Sequence, residues 1–220
     1  MKLLPLFILI SINCAAQTNM LTPDGYKLKN AGLSNIAQLD STIIVHLMYA
    51  YDDNFMGKSM YRTLREAFLQ PEAADKLIKA QKKLKETYPQ YTLIVYDAAR
   101  PQWAQEIMWN FVKDTPMRRY VASPGRVSMH TYGVAVDISI LDENGKELNM
   151  GTPVDFLGAL AEPRNEPDFL ASGELTKEHI KNRQLLRSVM RYAGFTGIPN
   201  EWWHFEAIPR AEAQTKYKPL

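Results

Sequence analysis

Apolar residues recur along this chain at two spacings, and the switches between them mark out its elements. Over residues 72–88, Ala74, Leu77, Ile78 and Leu84 fall on one helical face with lysines on the other, which predicts an amphipathic helix ended by Pro89. Pro101 opens a second helix through Trp103, Ile107, Met108 and Phe111, because proline is tolerated in a first turn. A third helix is predicted over 178–193, with Gly194 as a left-handed cap. Four segments read as strands: 41–48, rich in β-branched residues, then 91–96, 133–141 and 202–208. Residues 51–57 read as a turn-rich loop, and 17–40 and 142–175 as coil, turns and short pieces. Helices and strands mix without a regular βαβ rhythm, so the expected class is α+β.

Composition narrows the picture. The 220 residues, 46% hydrophobic, suit one domain with a sizeable core. A net charge of +2 gives no basic field for nucleic acid and no acidic tail. The first sixteen residues stand apart: Lys2, an apolar run over 3–12, then a small polar exit at 13–17. That order is the pattern of a secretory signal peptide, and the run is too short to span a membrane. The expected division is a signal peptide at 1–16 and one domain at 17–220, exported in a bacterium to the periplasm or the outer membrane. Cys14, the one cysteine, is a second possibility, a lipid attachment site, although Asn13 fits poorly before it. The domain itself lacks cysteine, so a metal there must be held by histidine and carboxylate.

Two segments carry the candidate chemistry. Along 133–141, Val134, Val136, Ile138 and Ile140 alternate with Gly133, Ala135, Asp137 and Ser139. A strand sends these sets to opposite faces, which puts Asp137 on an open face of small residues. A bend at Gly133 would bring His130 alongside it. Taken alone, the segment also reads as a turn-capping aspartate beside a surface histidine. The second segment is Glu201-Trp202-Trp203-His204, after a turn at 197–200. Positions three apart on a strand face opposite ways, so Glu201 must belong to the turn if it is to join His204 at one site. Trp202 and Trp203 read as packing. Together the segments offer two imidazoles and a carboxylate, with a carboxylate to spare. Three protein ligands leave zinc one open position for water, the arrangement of a hydrolytic site. Arg100 lies at a strand-to-helix junction next to Ala98 and Ala99. It reads equally as an oxyanion partner and as a surface arginine paired with Asp97. Of the other two histidines, His46 reads as strand packing and His179 as helix surface.

Ser128-x-His130-x-x-Gly133-x-Ala135-x-Asp137, followed by Glu201-Trp-Trp-His204-Phe and preceded by Asp97-x-x-Arg100-Pro, resembles the D-alanyl-D-alanine dipeptidases, the VanX-type zinc enzymes of the M15 peptidase group. Tyr49 to Lys58, Met150 to Phe156 and Asn182 to Arg187 extend the likeness, which covers about residues 43–205. The resemblance implies a mostly antiparallel sheet flanked by helices, with the zinc site in a cleft on the sheet, as in Hedgehog-like and DD-peptidase folds. It implies one zinc per chain on His130, Asp137 and His204, with zinc-bound water as nucleophile. Glu201 would be general base and then acid, and Arg100 the transition-state stabiliser. Ser128 and Tyr61 would bind the substrate carboxylate, Asp155 and the Tyr49 backbone its ammonium. The implied reaction is hydrolysis of D-Ala-D-Ala. Alternatives are a related carboxypeptidase or peptidoglycan endopeptidase and, further off, a non-catalytic zinc module for cell-wall fragments. No nucleic-acid partner and no membrane span are expected, and the oligomeric state is left open.

Overall fold

The structure is a computed structural model and describes residues 20–123 and 125–220. The expected signal peptide and Cys14 lie outside the described residues. In chain order the elements are α1 (Pro23–Asn30), β1 (Ser34–Asn35), α2 (Ile36–Leu39), β2 (Ile44–Val45), β3 (Phe68–Leu69), α3 (Pro71–Thr87), β4 (Thr92–Asp97) and α4 (Gln102–Val112). They continue with β5 (Ala135–Leu141), α5 (Glu166–Ser172), α6 (Lys177–Ala193), β6 (Thr196–Gly197), β7 (His204–Glu206) and α7 (Arg210–Lys216).

The main sheet has the order β2-β4-β5-β7-β6. Its β2–β4 pair is parallel and the other three pairs are antiparallel. β1 and β3 form a separate antiparallel pair. The class is α+β and the sheet mostly antiparallel, as expected. α3 forms where Ala73, Ala74, Leu77, Ala80 and Leu84 make a buried stripe, and Pro71 starts it where its missing N–H costs nothing. It packs on β4 and against α6. α6 is capped by Thr176 at its start and by Gly194 at its end, whose φ of 92° only glycine adopts freely.

Departures from the sequence reading cluster where segments are short. Only Ile44 and Val45 of 41–48 pair as strand, and Met48–Ala50 turns into a 3-10 helix. The last strand shrinks to β7, because residues 202 and 203 form a bend. The stretches read as coil hold α1, α2 and α5. His46 is half-buried, bonds Asp53 at 2.6 Å and stacks on Tyr51, so it does more than pack a strand. His179 does more than lie on a helix surface: its Nδ1 accepts from the Thr176 N–H, which closes a capping box with the Thr176 hydroxyl. The whole of β5 is buried, so the small-residue face around Asp137 opens only locally.

Candidate metal centre

Register across three strands builds the site. Asp137 on β5 lies opposite Asp97 on β4 and opposite His204 on β7. Directly paired residues on neighbouring strands share a face, so these three side chains stand in one row. The row depends on an irregularity. Val95 pairs with Ile138, and the register then shifts so that Asp97, not Tyr96, meets Asp137. One extra residue in β4 turns Asp97 to the site.

His130 arrives from a turn ahead of β5. Its carbonyl accepts from the Gly133 and Arg100 N–H groups, and Gly133 takes a φ of 71°. The bend expected at Gly133 is present. The His130 Nδ1 lies 2.8 Å from the Ala98 carbonyl oxygen, which can only accept, so Nδ1 carries the proton and Nε2 presents its lone pair. That Nε2 is 3.3 Å from Asp137 Oδ1 and 3.1 Å from His204 Nδ1. His204 Nδ1 is in turn 3.1 Å from Asp137 Oδ1. The other His204 nitrogen faces Glu206 at 3.6 Å, a carboxylate behind a ligand ring.

The triangle fits a tetrahedral ion, since bonds of about 2.0–2.1 Å set ligand atoms about 3.3 Å apart. All three residues are buried, and the donor set of two imidazoles and a carboxylate suits zinc. Without a metal the cluster holds protons instead. Burial works to raise the Asp137 carboxyl, but contacts with His130 and His204 outweigh it and hold it well below the usual range. Burial likewise works against charge on His204, yet its contacts with Asp137 and Glu206 push it up to about 10. A metal therefore displaces a proton here.

Glu201 lies just ahead of the bend at residues 202 and 203, with Oε2 3.9 Å from His204 Nδ1. It stands outside the strand, as reaching the same site as His204 requires, although Gly197 of the expected turn belongs to β6. Burial foremost, then Asp137 and Asp155, pushes it up to about 8, and a cation on the neighbouring ligands would draw it down. Arg100 is 6% exposed and lines the cleft. Arg100 pairs with Asp97 at 2.6 Å, as one reading had it, but it is buried at the cleft and is not a surface arginine.

The cleft has a volume of about 600 Å³. Ser128, Asp155, Glu201 and Trp203 line it with the three metal-site residues. Trp202 is buried outside it, its indole N–H donating to Thr152 Oγ1 at 2.8 Å. The Asp155 carboxylate accepts from the Tyr49 hydroxyl at 2.7 Å and from the Phe55 N–H at 2.8 Å. Burial and Asp155 push the Tyr49 hydroxyl well above its usual value, so it remains a donor. The Tyr49 side chain reaches this end of the cleft, while its carbonyl accepts from the Met60 and Tyr61 N–H groups. Tyr61 is not in the cleft wall. Its buried hydroxyl donates to Asp97, behind Arg100. Asp97 and Gln105, which the sequence reading did not single out as site residues, are thus what Arg100 rests on.

A buried His/Asp/His triangle with a carboxylate beside it, in a cleft on a mostly antiparallel sheet, defines a metallopeptidase-type site. Residues 29–218 match the peptidase M15 family, described as D-Ala-D-Ala dipeptidase, and the chain belongs to that family of zinc metallopeptidases. It is 33% identical over 179 residues to a D-alanyl-D-alanine dipeptidase of Escherichia coli (strain K12), covering 81% of this chain and 86% of that one. A D-alanyl-D-alanine dipeptidase of Enterococcus faecium is 32% identical, over 71% of this chain and 82% of its own. One from Synechocystis sp. is 27% identical, over 69% and 71%.

Proposed function

We propose that this protein hydrolyses D-alanyl-D-alanine to two D-alanines, with zinc held by His130, Asp137 and His204. The observation that carries the reading is the ligand triangle, with edges of 3.1–3.3 Å, beside the half-buried Glu201. When bound, zinc would polarise the scissile carbonyl and acidify water near neutral pH. Glu201 takes the proton of the attacking water and delivers it to the leaving amine. Arg100 offers N–H donors to the oxygen on which charge develops. Asp155, held by Tyr49 and Phe55, pairs with the substrate ammonium, and Ser128 meets its carboxylate. Asp155 is only 8% exposed, which supports a closed end for a free amino terminus over the open cleft a carboxypeptidase or endopeptidase needs.

Glu201→Gln tests the base. The variant should bind one zinc per chain, as metal analysis would report, with kcat reduced at least a hundredfold, on the order of general acid–base contributions. Turnover equal to that of the native enzyme would refute the assignment.

A further inference from the structure

Gln105 lies on the buried face of α4 with Ala104, Met108 and Val112, and is 5% exposed. Packing alone would favour an apolar side chain there, and a buried amide needs partners at both ends. It has them: Oε1 accepts from Arg100 Nη1 at 2.8 Å, and Nε2 donates to the Ala122 carbonyl at 2.9 Å. A carbonyl can only accept, so Ala122 fixes which way the amide points and aims its oxygen at Arg100. Asp97 holds the opposite edge of the guanidinium, accepting from Nε at 2.8 Å and pairing with Nη2 at 2.6 Å. Three of the five guanidinium donors are thereby used; one N–H on each terminal nitrogen is left, and Nη2 also lies 3.6 Å from Asp137 Oδ2.

We propose that Gln105 is a positioning residue for the reaction. Held by Asp97 alone, the planar group can pivot about its Nε–Nη2 edge. The second contact, at Nη1, removes that freedom and keeps the two spare donors at one angle in the cleft. A donor fixed before charge develops needs no reorganisation when it does, and this is where such groups gain their effect. Gln105 also ties Arg100 to the cleft wall at Ala122, so the clamp spans α4 and that wall. This rests on the role proposed for Arg100.

A double-mutant cycle in the zinc-loaded full chain, with D-Ala-D-Ala as substrate, tests it. Gln105→Met keeps the volume and removes both hydrogen bonds. Its kcat should fall about tenfold, with KM within about twofold, as expected when a contact to a charged group acting in the transition state is lost. Arg100→Lys keeps a cation beside buried Asp97 but loses the Nη1 contact. In that background Gln105→Met should cost nothing further, because Gln105 then has no guanidinium to hold. Equal losses in both backgrounds would overturn the proposal and make Gln105 a packing residue, as would an unchanged kcat in the single variant. Should Arg100→Lys itself leave kcat untouched, the role of Arg100 fails, a distinct result. If Arg100→Lys does not fold, Gln105→Glu replaces it. That variant keeps the acceptor toward Arg100, so its loss in kcat should be smaller than that of Gln105→Met, and an equal or greater loss would overturn the proposal.

Discussion

Asp155 adopts a φ of 68°, in the left-handed region that few side chains other than asparagine and aspartate enter readily. That backbone and two accepted hydrogen bonds fix its carboxylate at one end of the cleft. Burial, only partly opposed by the Phe55 and Tyr49 donors, pushes its pKa up to about 7. Above that pH the group is an anion and attracts an ammonium; below it the group is neutral and does not. KM for a dipeptide with a free amino terminus should therefore rise as pH falls through about 7, and Asp155→Asn should raise KM and flatten the profile. A KM in the native enzyme that stays flat between about pH 6 and 8 would contradict this. At this scale the sequence was readable for His130, Asp137, His204 and Glu201, because their residue types and order carry the chemistry. Asp155, Ser128, Tyr49 and Tyr61 were reached only through resemblance. Tyr61 then proved to face Asp97, an outcome no spacing announces.

Among the elements, strand alternation foretold the separate face of Asp137, and the glycine before β5 foretold the bend that returns His130. The shift in β4 was not legible. A one-residue irregularity leaves no trace in the hydrophobic pattern, yet it decides that Asp97 and not Tyr96 stands in the row with Asp137 and His204. Two-residue strands such as β1, β2, β3 and β6 are likewise too short for periodicity to reveal. Gly133 makes the element-level test. A methyl group there would meet Leu33 Cδ2 at 3.1 Å, and the φ of 71° disfavours any side chain. Gly133→Ala should cost about 1–2 kcal/mol in stability, the usual penalty for a left-handed alanine. It should also weaken zinc binding, since the turn carries His130. Thermal unfolding with and without zinc reads both effects, and an unchanged melting temperature with native zinc affinity would count against the turn as the positioning device.

Across the molecule, the parts of the site come from distant stretches of chain, and a buried arginine joins some of them. Arg183 on α6 donates to the Met150 carbonyl at 2.7 Å and the Leu160 carbonyl at 3.1 Å, on either side of Asp155. It also lies over the Trp202 ring, next to Glu201, and shares Glu166 with Arg187. A fully buried arginine with a partner at each of its three nitrogens can brace loops that have little regular structure of their own. The Asn182-Arg183…Arg187 run stood out in the sequence, but its task depends on loop positions that only the folded chain supplies. No helix among the described residues is long and apolar enough to cross a membrane. We propose, from the order of charge and apolar residues at the start, that the chain is exported and cut after Ala16. The mature protein should begin at Gln17 on N-terminal sequencing, and a chain retaining Met1 in the exporting cell would contradict this.

The proposed enzyme is a metal-dependent dipeptidase that demands a free amino terminus. The most direct test is the rate of D-alanine release by the zinc-loaded chain from D-Ala-D-Ala, compared with N-acetyl-D-Ala-D-Ala and with a pentapeptide ending in D-Ala-D-Ala. The free dipeptide should be cleaved at least a hundredfold faster than either, on the order expected when a buried charge is left unpaired, and removal of zinc should abolish the reaction. A pentapeptide cleaved faster than the dipeptide would contradict the dipeptidase reading and make the enzyme a carboxypeptidase.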